Sequence, residues 1–243
     1  MASGAMGMGR LPDPSTIADE ITCILSDRDL EGVKVLVTAG PTIEYMDPVR
    51  ILTNRSSGKM GYALARAAQR RGAEVTLVSG PTHLAAPKGI ATIQVETAEE
   101  MRKAVLANVN GKDVVIKAAA VSDYRPLKKA PHKEKKKTGI ISMEIEPTAD
   151  ILAELGKTKG STLLVGFAAE TTEHVARARE KIQRKNLDLI VLNDVSRTDR
   201  GFMADTNEVR ILDREGNEQE IPLMSKEEVA DRILDRIKEL RAV

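Results

Sequence analysis

The segment Asp47–Gly61 combines the residue types that bind anions. It contains two glycines, small hydroxyl side chains, two arginines and a lysine, and it lies between a predicted strand and a predicted helix that begins near Tyr62. Ser56 and Gly58 would then lie close to a helix N-terminus, where backbone N–H groups and the helix dipole attract negative charge. The segment therefore predicts a pocket for phosphate or carboxylate.

A second segment with possible chemistry, Lys117–Pro126, follows another predicted strand. Its run of small residues would let a planar base or a ribose approach the backbone closely. Asp123 could then hold a ribose hydroxyl or a metal ion. Tight packing around an Asp-initiated turn is the alternative interpretation.

Lysines dominate the two remaining strand-end segments. In the stretch 128–137, a lysine beside an anion pocket could neutralise charge that develops on phosphorus, although lysine runs are usually solvated. The segment Gly166–Thr171 precedes a predicted helix on which Lys181 and Lys185 lie one turn apart. Residues at this spacing share a helix face, so both could contact one phosphate chain.

Aromatic residues form only 2% of the chain, and all of them lie in or beside the polar segments. This placement favours a ligand-lining role for Tyr124 and Phe167, with ordinary core packing as the alternative. The aromatic residues are Tyr45, Tyr62, Tyr124, Phe167 and Phe202.

Several other kinds of site are disfavoured. The chain has neither a G-x-G-x-x-G fingerprint nor P-loop spacing, and no Ser/His/Asp or Cys/His arrangement is visible. The three histidines, His83, His132 and His174, lack metal-ligand spacing and are predicted to lie on the surface. Cys23 cannot form an internal disulfide and is expected to be a small core residue, which fits a reducing cytoplasm.

Composition sets broad limits on the chain. Its 243 residues, 42% of them hydrophobic, can fill a substantial core, and the net charge of +1 gives no global indication of nucleic-acid binding. No apolar run approaches the roughly 20 residues of a membrane span, and we expect a soluble, cytoplasmic protein without membrane partners. Residues 1–29 read as a cloning remnant or severed linker with a lead-in helix, followed by one domain over 30–243.

Short apolar strands alternate with helices along the chain. This order predicts an α/β, Rossmann-like, mainly parallel sheet with helices on both faces, plus an added antiparallel hairpin that could serve dimerisation. The predicted strands are 34–38, 74–79, 91–96, 113–117, 140–145, 163–167 and 189–193, with a hairpin over 208–212 and 218–223. The predicted helices are 15–26, 62–71, 98–108, 172–185 and 225–240, the last opened by a capping box.

Taken together, four segments closely resemble the bacterial phosphopantothenate-cysteine ligase, usually the C-terminal half of a bifunctional coenzyme A biosynthesis protein. The resemblance runs from about Leu30 to the end of the chain. The segments that carry it are Asp47–Gly61, Ala118–Pro126, Val165–Thr171 and Arg184–Asp188.

The resemblance implies a two-step ligation. CTP activates the carboxylate of 4'-phosphopantothenate as an acyl-cytidylate, pyrophosphate leaves, and the amine of L-cysteine then displaces CMP. It also implies that the reaction uses Mg²⁺ and that a homodimer completes the acid site across its interface. The family's other half is a flavin-dependent decarboxylase that is missing from this chain, so no flavin is expected to bind here.

The resemblance also assigns roles to individual residues. Asn54 matches the residue that handles the acyl-cytidylate, flanked by Arg50 and Ser56 in the acid's pocket, and Lys133 matches the lysine needed for acyl-cytidylate formation. Asp123 is the candidate metal ligand. The matched nucleotide-binding positions are Ala119, Asp123, Lys133, Asp150, Ile151, Leu152, Phe167, Lys181 and Lys185.

Two other functions stay open on the residues alone. An NAD(P)-dependent reductase is disfavoured by the missing fingerprint and by the lack of a Tyr-x-x-x-Lys pair. A nucleotide-sensing module without turnover is favoured by the absence of an obvious general base. Patterns in the residues lead only to a phosphorylated ligand and a nucleotide.

Overall fold

The computed structural model describes residues 11, 14–133, 135, 139, 142–170, 174–194 and 204–242. The helices are α1 (Pro14–Leu25), α2 (Lys59–Arg70), α3 (Ala98–Asn108), α4 (Ile151–Thr158), α5 (His174–Lys185) and α6 (Lys226–Arg241). The strands are β1 (Lys34–Ala39), β2 (Ile43–Tyr45), β3 (Ile51–Thr53), β4 (Glu74–Ser79), β5 (Ala91–Gln94), β6 (Val114–Lys117), β7 (Tyr124–Pro126), β8 (Ile145–Pro147), β9 (Leu163–Glu170), β10 (Leu189–Asp194), β11 (Thr206–Asp213) and β12 (Glu218–Ser225).

The predicted α/β class is confirmed. Within the described ranges, the main sheet has eight strands in the order β12-β11-β10-β9-β6-β1-β4-β5. The six strands from β10 to β5 pair in parallel, whereas β11 and β12 form the antiparallel hairpin that extends the β10 edge. Two small antiparallel ladders, β2–β3 and β7–β8, lie outside this sheet.

Alternating side chains of the central strands supply two hydrophobic cores, one on each face of the sheet. Val35 and Val37 of β1 pack on the face covered by α2 and α6. Leu36 and Val115 pack on the opposite face, with residues of α3, α4 and α5. The near-continuous apolar strands follow from this double coverage, because neither face of the parallel sheet is left to water.

Two sequence-based expectations were wrong. Residues 142–144 are not in a strand; the strand lies at Ile145–Pro147 and pairs with β7 rather than with the main sheet, while 140–141 lie outside the described residues. Cys23 is partly exposed, because α1 leaves Ile24 and Leu25 largely in solvent. Tyr62 is fully buried in the core, and its hydroxyl lies 3.1 Å from Ser79 Oγ.

The longest helix in the described part of the chain is α6, with 16 residues. No described helix combines the length and the apolar character that a membrane crossing requires.

Candidate functional site

The order of the strands creates a crevice between β1 and β6. From β1 the chain continues to β4 and β5 on one side, then returns to β6, β9 and β10 on the other. Ligands in open α/β sheets bind at the carboxyl ends of the strands where the order reverses in this way. The turn after β1 and the segment after β6 meet here, since Ala120 N donates to Gly40 O at 2.9 Å.

The loop before α2 forms one wall of this crevice. Gly58 caps the helix with φ at 76°, a conformation that L side chains rarely adopt. Ser56 Oγ accepts a hydrogen bond from Gly58 N at 3.3 Å, and Ser57 Oγ accepts one from Lys59 N at 3.4 Å. These hydroxyls and amides form the polar helix N-terminus that the sequence predicted, and the long distances leave the amides open to a stronger acceptor.

A buried carboxylate fixes the direction of Arg50. Asp47 is 2% exposed, and its Oδ1 accepts hydrogen bonds from the backbone N–H groups of Val49 and Arg50, both at 2.8 Å. Its Oδ2 lies 3.1 Å from Arg50 Nε. The guanidinium, partly exposed, is thereby held against Asp47 at the start of β3.

Asn54 connects the loop before α2 to the segment after β6. Its side-chain Nδ2 donates to Val121 O at 3.0 Å, while the residue itself is exposed. Thr53 Oγ1 donates to Thr42 O at 2.7 Å and fixes the neighbouring backbone. Asn54 therefore lies at the junction of the two motif segments.

Two aspartates border the crevice on the α4 side. Asp123 is exposed, and its carbonyl accepts a hydrogen bond from Thr148 N at 2.9 Å, which brings the segment after β6 next to the start of α4. Asp150 is the N-cap of α4, where its Oδ1 accepts from Ala153 N at 3.1 Å. The exposed Asp123 and the N-cap residue Asp150 are thus brought to the same end of α4.

Ile151 and Leu152 form the first turn of α4 and are 1% and 7% exposed. Their side chains belong to the core with Leu155. If these two positions contact a nucleotide, the contact is made by their backbone N–H groups, which have no intrahelical acceptor.

Lys185 forms an ion pair with Asp150. Its Nζ lies 2.7 Å from Asp150 Oδ2, and its side chain is 18% exposed. Burial raises the pKa of Asp150, but hydrogen bonds from Lys185 and Ala153 outweigh burial and lower it overall. Lys181, one turn earlier, is also partly buried. Helix α5 therefore presents Lys185 to the start of α4.

The remaining sequence-predicted positions are spread around the crevice. Ala119 N donates to Thr38 Oγ1 at 3.1 Å. Phe167 packs on the α2 and α6 face, opposite to Lys185, and Tyr124 is 51% exposed on β7. Phe202 lies outside the described residues. Tyr124 is therefore accessible, Phe167 is partly buried against the core, and Tyr62 is fully buried.

The basic stretch starts beside the β2–β3 ladder. Lys129 Nζ lies 4.4 Å from the centre of the Tyr45 ring, a cation–π contact, and Ala130 N donates to Met46 O at 2.9 Å. Lys133 is exposed, and Lys136 and Lys137 lie outside the described residues. The start of the stretch is therefore anchored next to the Asp47–Arg50 turn.

Two further lysines, Lys59 and Lys117, have surroundings that the sequence did not predict. Lys59, counted as part of the anion pocket, has its Nζ 2.6 Å from Asp205 Oδ1. Lys117, to which sequence patterns assigned no role, lies at the carboxyl end of β6, and burial followed by repulsion from Lys185 lowers its pKa to about 8. A lysine at the end of an otherwise apolar central strand was the signal that could have identified it.

Metal binding has limited support within the residues described. No group of three His, Cys, Asp or Glu side chains in that part of the chain could hold a metal ion. Asp123 supplies one accessible carboxylate. Mg²⁺ is usually bound by one or two carboxylates together with substrate phosphates, so a single aspartate fits Mg²⁺ that arrives with a nucleotide.

Comparison with known proteins identifies the family of this chain. The family described as DNA/pantothenate metabolism flavoprotein C-terminal domain matches residues 30–240. The coenzyme A biosynthesis bifunctional protein CoaBC of Bacillus subtilis is 49% identical over 99% of this chain, and the chain spans 60% of its length. The chain therefore corresponds to about three fifths of that relative.

Solved structures of similar proteins include members of the same family. The C-terminal domain of a CoaBC protein superposes with a TM-score of 0.77 at 45% identity, covering 89% of this chain and 99% of that one. A Cab2 mutant solved in complex with phosphopantothenate-cysteine has a TM-score of 0.70 over 95% of this chain and 96% of its own, and at 16% identity it shows a common fold. This chain belongs to the family of the DNA/pantothenate metabolism flavoprotein C-terminal domain.

Proposed function

We propose that this chain joins 4'-phosphopantothenate to L-cysteine, with CTP as the activating nucleotide. The observation that carries the proposal is the hydrogen bond from Asn54 Nδ2 to Val121 O at 3.0 Å. It joins the loop before α2, which we assign to the acid, to the segment after β6, which we assign to the nucleotide. A ligase that activates a carboxylate needs such a junction, because the acid and the nucleotide must meet at the reacting atoms.

Further support comes from the relatives. The Bacillus subtilis protein is named as a coenzyme A biosynthesis bifunctional protein, and Cab2 was solved with phosphopantothenate-cysteine, the product of such a ligation. The bifunctional name supports a second half in the whole protein, which we propose to be a flavin-dependent decarboxylase. We place the reaction in the cytoplasm.

In the first step, a carboxylate oxygen of the acid attacks the α-phosphorus of CTP. The P–O bond to pyrophosphate breaks, and an acyl-cytidylate results. We assign Arg50 and Ser56 to the acid, and Asp150, Lys181 and Lys185 to the nucleotide. Lys133 would place positive charge where the phosphoryl oxygens gain negative charge, which lowers the barrier.

In the second step, the amine nitrogen of cysteine attacks the acyl carbon. The C–O bond to CMP breaks, the amide forms, and the amine loses a proton to solvent. Asn54 would hold the acyl oxygen through its amide N–H. When Mg²⁺ is bound with the nucleotide, it supplies charge neutralisation at the phosphates, and Asp123 is the residue that would hold it.

We also propose that two copies of the chain form a homodimer through the β7–β8 ladder. Tyr124, Leu127, Met143 and Ile145 are each between 44% and 51% exposed there, which is unusual for a cluster of large apolar residues. The cluster adjoins the basic stretch that contacts the β2–β3 ladder. Ile145→Glu should convert the dimer to a monomer in sedimentation velocity, and an unchanged sedimentation coefficient would argue against this interface.

The proposed reaction is tested by measuring pyrophosphate release with CTP, ATP, GTP or UTP, with and without cysteine. With CTP and 4'-phosphopantothenate, we expect about one equivalent per site without cysteine and continuous turnover with it. Equal turnover with ATP would contradict the nucleotide assignment. Absence of pyrophosphate with all four nucleotides would favour a sensing module, and binding of NADPH would favour the reductase.

A further inference from the structure

Lys117 is the last residue of β6, at the centre of the main sheet. The three preceding residues, Val114, Val115 and Ile116, are fully buried. Lys117 is partly exposed, and it pairs with Thr38 of β1 and Gly166 of β9. The strand thus ends in a cation at the carboxyl edge, next to the crevice between β1 and β6.

The alternation of side chains fixes which face Lys117 occupies. Val115 packs with Leu152 of α4 and Ile182 of α5, so Lys117 lies on the same face, two residues closer to the crevice. Its neighbour on β9 is Gly166, which has no side chain to occupy this position. The α4 and α5 side of the strand ends is therefore where the Lys117 ammonium lies.

Three charged groups influence the charge of this ammonium: Lys185 of α5 repels it, whereas Asp150 at the start of α4 and Asp123 in the segment after β6 attract it. Asp150 is already paired, since its Oδ2 lies 2.7 Å from Lys185 Nζ. No residue in the described ranges forms a hydrogen bond or ion pair with Lys117 Nζ. A partly buried cation that forms neither a hydrogen bond nor an ion pair is unfavourable, which indicates an anion supplied by a ligand.

We propose that Lys117 is a further phosphate-contacting residue of the nucleotide site, with its ammonium paired to a phosphoryl oxygen on the α4–α5 side of the strand ends. This inference rests on the proposed function, because that function supplies the nucleotide. It adds a third lysine to Lys181 and Lys185, from the sheet rather than from α5. No matched family position had assigned it.

The pairing makes nucleotide binding dependent on pH. Burial and repulsion from Lys185, opposed by Asp150 and Asp123, place the pKa of Lys117 at about 8 in the free protein. A phosphoryl anion favours the protonated form and raises this pKa. The complex therefore takes up a proton near pH 8, and affinity falls as pH rises above 8, by up to about tenfold per pH unit.

The test is calorimetric titration of the protein with CTP and Mg²⁺ from pH 6.5 to 9.5, with two buffers of different ionisation enthalpy at pH 8. The wild-type protein should take up about half a proton at pH 8, as half the Lys117 side chains are already charged there. Lys117→Met should abolish this uptake and raise the Kd at pH 7 by about 10- to 100-fold, the worth of a charged hydrogen bond. The Lys117→Arg variant should bind CTP with a Kd that does not change between pH 6.5 and 9.5.

Lys112→Met is the matched control. Lys112 is a partly buried lysine at the opposite end of β6, and its Nζ donates to Thr76 Oγ1 at 2.8 Å, away from the crevice. This variant should retain the wild-type Kd and proton uptake. Thermal unfolding without nucleotide should show that Lys117→Met is at least as stable as wild type at pH 7, because it removes an unpaired buried charge.

Wild-type affinity and proton uptake in Lys117→Met would overturn the proposal while leaving the ligase function intact. If wild-type protein binds another nucleoside triphosphate but not CTP, the nucleotide assignment fails, and the same comparison with that nucleotide still tests Lys117.

Discussion

Replacing Gly61 by alanine should misplace the anion-binding loop without unfolding the protein. Gly61 lies in α2 where the helix crosses β1. A Cβ atom at this position would lie 2.5 Å from Ala39 Cβ and 2.9 Å from both Ala39 Cα and Thr38 O. Two of these atoms belong to the backbone of a central strand, so the helix must move instead.

The size of the effect follows from these distances. Carbon atoms in contact are about 3.5 to 4.0 Å apart, so α2 must shift by about 1 Å. Overpacking of this kind destabilises a core by about 1 to 3 kcal/mol. The same shift moves Ser56 and Gly58 at the start of the helix, and a misplacement of about 1 Å can reduce catalysis by about 100-fold.

Gly111→Ala separates loss of stability from misplacement. Gly111 has φ of 75° and no atom within 4 Å of an added Cβ, so alanine there is strained by about 1 to 2 kcal/mol but displaces nothing. Urea unfolding gives the stability of both variants, and kcat/KM for pyrophosphate release is measured at a temperature at which both are folded. If Gly61→Ala loses no more activity than Gly111→Ala, the close approach of α2 to β1 does not position the site.

Three further predictions concern the proposed site residues. Asn54→Asp would put a carboxylate against Val121 O in place of a hydrogen-bond donor. The variant should still bind CTP by calorimetry but form no amide, and a normal steady-state rate of product formation would show that Asn54 is not in the site. Replacing both Lys181 and Lys185 by alanine should raise the KM for CTP by at least about tenfold, because one lost charged hydrogen bond weakens binding by about that factor. The KM for cysteine should stay the same, and equal changes in both KM values would indicate a folding role. Lys133→Gln should slow single-turnover pyrophosphate release by about 100- to 1000-fold with CTP binding retained, and a slower Lys136→Gln would move the assignment along the lysine run.

Local patterns predicted the regular elements well. The strand at Glu74–Ser79 and the helix at Ala98–Asn108 agree with the predicted bounds, and Ser225 and Glu228 form the predicted capping box of α6. These features depend on residues close in sequence: apolar runs that fill a doubly covered sheet, and side chains that satisfy the first amides of a helix.

Short and exposed elements were predicted poorly. The alternation over 140–145 predicted a strand, but pairing with β7 places the strand at Ile145–Pro147. The β2–β3 ladder was read as part of a loop, because three-residue strands carry too little pattern to be recognised. Tyr62 lies in a motif segment but is fully buried, so the position of an aromatic residue in the sequence does not by itself indicate a pocket.

The strand–helix order and the motif segments could be predicted from local sequence patterns, and the resemblance of these segments to a known ligase predicted the residues at the site. How these residues combine depends on the packed fold: which strands flank the crevice, that Asn54 reaches Val121, and that Lys185 is held by Asp150. The packed fold also decided the environment of Lys117, because a pKa depends on burial and on charges that are distant in sequence. Hydrophobic periodicity in the sequence indicates which face of a helix or strand is buried. The hydrogen-bond or ion-pair partner of each polar atom is set only when the elements pack together.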